Sequence, residues 1–170
     1  MPTAVDPPQV PAFVDTEASA LFNPAFCSVV LNKACVGYAS KADAAMPLTF
    51  AYLILPCALH RPTREALPRT MVASMAGWLR DTPLIRVDLA NRVQTLRDIT
   101  SRAILYGLGH GVLVSQDGDL RAGSLERQPR TLRPTDDWRR CLSAGAFLGK
   151  WCAGSGSDEA TLLAQWGLRP

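Results

Sequence analysis

Residues 46–59, MPLTFAYLILPCAL, form the longest apolar run in the chain and carry no charge. A segment without a polar face must be covered on all sides, so the fold has to be built around it. Its fourteen residues are too few to span a bilayer, and Pro56 interrupts them. The reading is a buried helix kinked at Pro56, with a pair of strands as the alternative. His60-Arg61-Pro62-Thr63-Arg64-Glu65 follow directly. Pro62 has no N–H to donate and biases Arg61 away from helical backbone, so the helix should stop near His60 and Thr63 should start a short turn.

Other segments arrange themselves around this one. In FNPAFCSVVLNKACVGYASK, Asn23 can cap a helix that Pro24 opens, Phe26, Val29, Val30, Ala34 and Val36 supply an apolar face, and Gly37 should end it. RTMVASMAGWLRDTP reads as a helix with Met71, Met75 and Trp78 on one side, and Thr82-Pro83 as the start of another. Thr95-x-x-Asp98 has the form of a capping box opening the helix that contains Ile99, Ala103 and Tyr106. GLGHG (107–111) should end that helix, because a dinucleotide loop would need a strand before it. The β signal is Asp117-Gly118, which favours a tight hairpin in GVLVSQDGDLRAG. GSLERQPRTLRP (123–134) reads as an exposed linker. Thr135 caps TDDWRRCLSAGAFLGKWC, whose stripe is Trp138, Cys141, Leu142, Gly145, Leu148 and Cys152. Ser157 is the expected cap of the last helix and Gly167 its stop.

The expectation is a mainly α protein with a small β-hairpin: a winged-helix-like helical domain followed by C-terminal helices. Residues 1–20, with four prolines among the first dozen, read as a flexible N-terminal arm. Residues 21–170 read as a single helical domain with the hairpin near 111–122 and C-terminal helices over 135–166.

Charge and chemistry restrict the function. The net charge is +3, too small to argue nucleic-acid binding by itself, but residues 61–140 hold fourteen arginines against nine acids. Five cysteines without C-x-x-C spacing read as reduced core thiols, and the two histidines show no zinc-ligand spacing. There is no phosphate-binding loop, no H-E-x-x-H and no nucleophile elbow. Catalytic residues, metal and cofactor are therefore all expected to be absent. A thiol enzyme built on Cys57 and His60, one helical turn apart, is a third reading that Cys57→Ser would test. The N-terminus has neither the basic flank nor the apolar core of a signal peptide, so a cytoplasmic protein without membrane contact is expected.

Arg61 and Arg64 have forked donors suited to a carboxylate or phosphate, and Glu65 can hold one of them. With His60 and Thr63 they form a candidate partner or nucleic-acid interface, to which Arg102, Lys150 and Trp151 are added. Trp78, Trp138 and Trp166 are further candidate anchors, with a place in the core as the alternative for each tryptophan. On this reading Arg61→Glu with Arg64→Glu leaves the isolated fold nearly intact and weakens assembly or DNA engagement.

Several separated phrases carry a family resemblance: NPAF, MPL, LPCALHRPTREALP, ASMAGWLRDTP, TSRAILYGL, DGDLRAG and the ending AGAFLGKWCAGSGSDEATLLAQWGLRP. The most distinctive are LHRPTRE and the terminal WGLRP. Over residues 22–170 the chain resembles the middle component of bacterial three-component ABC systems, the group that overlaps with Lamassu antiphage defence. The resemblance implies a non-catalytic accessory subunit beside an SMC-like ABC ATPase with coiled-coil arms. It also implies a separate effector subunit, often a nuclease, held inactive until infection, with DNA reached through the complex. The alternative is a free winged-helix DNA-binding regulator. That reading needs base-reading side chains on the helix before the hairpin, where DITSRAILYG offers Arg102 and is otherwise apolar.

Overall fold

A computed structural model describes residues 22–72, 74–125 and 135–168. The N-terminal arm and most of the expected linker lie outside the described residues.

The architecture rests on two nineteen-residue helices, α1 (Pro24–Ala42) and α7 (Asp136–Gly154). Phe26 meets Trp138, Val30 meets Gly145, Ala34 meets Gly149 and Lys41 meets Gly154, so the helices run parallel along their length. Small residues permit this approach. A methyl group at Gly149 would overlap the Ala34 carbonyl, one at Gly37 the Ala146 carbonyl, and one at Gly145 would lie 2.8 Å from the Val30 oxygen. Gly37 therefore does not end α1. The helix continues to Ala42 and stops where Asp43 turns left-handed (φ 49°). Asn23 and Thr135 cap the two helices as their positions suggest, accepting from the N–H groups of Ala25 and Trp138.

The apolar run forms α2 (Leu48–Leu59), which continues through Pro56 and is buried from Leu53 to Leu59. Only its first turn reaches the surface, through Leu48, Thr49 and Tyr52. His60 ends α2 and begins α3 (Arg61–Ala66), with Pro62 in the first turn, where its missing donor does no harm. The expected turn at Thr63 is thus a short helix.

Next come α4 (Met75–Asp81), capped by Ser74, and a 3₁₀ turn over Pro83–Ile85. Thr82 does not cap this turn; its hydroxyl donates back to the Trp78 carbonyl, 2.6 Å away. Helix α5 (Leu89–Thr95) and α6 (Arg97–Gly109) meet at Leu96. Thr95 is the last residue of α5, so the expected capping box is not formed. The backbone bonds Leu96 to Arg92 and Thr100 to Leu96 carry one helix into the next, and Leu96 at the cap position has no side-chain acceptor.

The hairpin pairs β1 (Leu113–Gln116) with β2 (Asp119–Ala122), Leu113 opposite Ala122. Asp117 and Gly118 both have positive φ (53° and 91°), the signature of the tight turn that their sequence favours. Met46, between α1 and α2, exchanges two 2.8 Å backbone bonds with Leu120. Helix, bridging residue, helices and hairpin follow one another as in a winged helix. Asn32, almost fully buried on α1, donates to the carbonyls of Val112 (2.7 Å) and Gly123 (3.2 Å) and ties the hairpin base to the core.

The last helix, α8 (Glu159–Gln165), is capped by Asp158 rather than Ser157: the Asp158 carboxylate accepts from Thr161 N–H at 3.0 Å. After it Gly167 turns left-handed (φ 80°), and Leu168 N–H returns to the Leu163 carbonyl at 3.0 Å. Among the described residues no helix is long and apolar enough to cross a membrane.

Candidate partner interface

The segment His60–Glu65 divides into an inner and an outer half. Thr63 is fully buried and hydrogen-bonds His60 Nδ1 at 2.8 Å. Arg64, its side chain 4% exposed, donates to the carbonyls of Ala58 (3.0 Å) and Leu59 (2.7 Å) and pairs with Asp137 near the start of α7. It closes the C-terminal end of α2 and fastens it to α7. Burial, reinforced by Arg92 and Arg64, lowers the His60 pKa and favours the neutral ring. Arg61 and Glu65 lie outside as an exposed i,i+4 pair, 2.8 Å apart. The joint is therefore not a uniform surface patch. The expectation that an Arg61/Arg64 double charge reversal spares the fold is corrected, because Arg64→Glu would place a carboxylate beside two carbonyls and Asp137.

The other candidates separate in the same way. Lys150 and Arg102 are exposed, whereas Trp151 is 3% exposed. Its ring stands edge-on to Trp78 at 5.3 Å, and Trp166 lies 5.9 Å from Trp78. Trp78, Trp151 and Trp166 are core, and Trp151 offers no surface in this fold; Trp138 is half-buried against Phe26.

The five thiols are free and buried. Burial pushes the Cys57 thiol up to about 12, which favours its protonated form, and His60 directs Nδ1 to Thr63. Native protein at pH 8 is expected to leave all five unreacted over minutes with a disulfide reagent, and to expose five on unfolding. One fast-reacting thiol in the native state would contradict this burial. Because folding raises these pKa values from 9.0, their contribution to stability is complete below pH 9 and declines as the pH rises toward 12.

Sequence reasoning missed an exposed apolar stripe on a helix. Ala103, Ile104 and Gly107 of α6 face the core, while Arg102, Leu105 (68% exposed) and Leu108 face outward. Leu105 and Leu108 at i and i+3 were the available signal, hidden because two apolar faces on one helix look like complete burial. At the hairpin tip Asp117 and Asp119 are the charged residues. A wing with acidic ends repels phosphate.

These features define a winged-helix-like helical protein with buried thiols and an uncovered apolar helix face. Among its described residues, no three His, Cys, Asp or Glu side chains gather as metal ligands. A family model described as ABC-three component (ABC-3C) system Middle Component 3 matches residues 13–170, and the chain belongs to that family. It is thus an accessory component of a multi-component ABC system and associates with other components of it. No curated protein and no solved structure matched the chain.

Proposed function

We propose that this protein is a non-catalytic adaptor in a Lamassu-type antiphage defence complex. It sits beside an SMC-like ABC ATPase with coiled-coil arms and links DNA sensing by that ATPase to control of a separate effector, such as a nuclease. The observation that carries this reading is the outer face of α6, where Leu105 and, in part, Leu108 are exposed beside Arg102. An exposed leucine pair beside an arginine suits a protein partner that can bury both. Of the polar side chains on this face Arg102 could read a base edge, but the exposed Asp98, seven positions before Leu105, opposes a phosphate backbone, as does the acidic wing tip. DNA is accordingly reached through the complex.

The test is co-purification of the tagged chain with the products of its neighbouring genes at moderate salt. Leu105→Asp with Arg102→Glu should lower recovery of the partner at least tenfold, which corresponds to about 1.4 kcal/mol. Both side chains are exposed, so the melting temperature should hardly move. Unchanged recovery would remove α6 from the interface. Recovery of this chain alone, with tight duplex binding, would favour the free regulator.

A further inference from the structure

A second uncovered surface lies on the side of α2 that reaches solvent. The N-terminal half of α2, the α5 helix, the first residue of α6, and α8 with the chain after it line a cleft of about 710 Å³. Its floor is apolar: Leu53 from α2, Val93 from α5, and Leu163 and Leu168 from the end of the chain. Leu168 stands there because the left-handed Gly167 folds the backbone over, so this wall is built by a hydrogen-bonded turn.

The polar groups along the walls are mostly engaged. Thr49 donates to Glu159, and the Tyr52 hydroxyl shares a 3.0 Å bond with Ser101. Arg97 and Gln94 are different. Both line the cleft and are exposed; the Arg97 carbonyl accepts from the Ser101 hydroxyl, but among the described residues no ion pair or hydrogen bond engages either side chain. An apolar trough with one uncompensated guanidinium at its edge selects an apolar occupant that brings a carboxylate.

We propose that this cleft is the docking groove for a segment of another component of the ABC system, apolar on the side it inserts and carrying an Asp or Glu that pairs with Arg97. The inference rests on the adaptor reading and extends it. A chain that links two components needs two separate faces. Arg97 opens α6, whereas Leu105 and Leu108 stand eight and eleven positions further on, about 12 and 16 Å along its axis, so the groove and the leucine stripe are separate surfaces.

The experiment uses the complex co-expressed from the neighbouring genes, with a photo-crosslinking phenylalanine derivative placed at Gln94. The expected result is an adduct with one component, mapped to an apolar segment containing an acidic residue. Arg97→Glu should weaken that component's retention at least tenfold, and exchanging the mapped acid for lysine should restore it. A glutamate at the first position of α6 suits the helix dipole, so the variant should fold. An intact complex with no adduct, or with an adduct only on this chain or a second copy, overturns the groove. An intact complex indifferent to Arg97→Glu overturns the carboxylate pairing. If the unmodified chain retains no component at all, the adaptor reading fails first and the groove falls with it.

Discussion

Gly149→Ala is expected to lower the stability of this protein by about 3 kcal/mol, although alanine is the better helix former by about 1 kcal/mol. The added methyl group would overlap the Ala34 carbonyl of α1, and that neighbour is backbone in the middle of a nineteen-residue helix. It cannot swing aside as a side chain would. Relief requires the two long helices to separate, which loosens Val30 against Gly145 and Gly37 against Ala146 as well. For a chain of this size the melting temperature should fall by about 10 °C. Gly109→Ala is the control: it is also helical, but nothing lies within 4 Å of its added methyl group, so it should be neutral or slightly stabilising. A Gly149→Ala protein that melts at or above the wild-type temperature would show that α1 and α7 do not approach this closely.

Arg64→Met should cost about 3 kcal/mol in urea unfolding, more than the loss of an ordinary surface ion pair. Methionine preserves much of the aliphatic stem, so the effect reports on the guanidinium. Removing it leaves the carbonyls of Ala58 and Leu59 at the end of α2 without that donor and breaks the tie to Asp137. Asp137→Asn should cost less, about 1 kcal/mol, because the Asp137 side chain is 43% exposed and water can replace its partner. Arg64→Lys should recover only part of the loss, since one ammonium lacks the fork that serves two carbonyls and a carboxylate together. If Arg64→Met were milder than Asp137→Asn, the carbonyl contacts would not be what holds the joint.

Local signals were legible where a residue acts on its own backbone. Asn23, Thr135 and the Asp117-Gly118 turn depend on contacts within a few positions, and each lies where its pattern predicts. Patterns with competing local solutions were less secure. Ser157 and Asp158 could each cap α8, and the carboxylate does so. Thr95-x-x-Asp98 had the spacing of a box, but α5 already extended through Thr95. Gly37 resembled a helix stop because glycine often serves as one, whereas here it makes room for α7 more than a hundred positions later. No local pattern carries that information.

The candidate interface divides along the same line. His60 through Glu65 were found as a group because polar residues after an apolar run must leave the core. Which of them faced outward depended on where α7 would lie. Asp137 and the end of α2 draw Arg64 inward, while Arg61 and Glu65 of the same six-residue helix remain in water. Trp151 was an equally open choice until Trp78 and Phe147 were placed against it. The Arg97 cleft joins four helices and the chain after the last of them, so no single stretch of sequence could reveal it.

What the sequence by itself determined were the features enforced by backbone chemistry and solvent. A fourteen-residue apolar run must be buried, Asp-Gly must turn, a helix must stop before His60-Arg61-Pro62, and Pro24 must open one. Only the tertiary structure decided which glycines were spacers, which arginine was a structural clamp, and which apolar faces remained uncovered. The physical reason is that burial belongs to pairs of surfaces. An arginine, a glycine or a leucine has the same local preferences wherever it stands, and its role depends on the element packed against it.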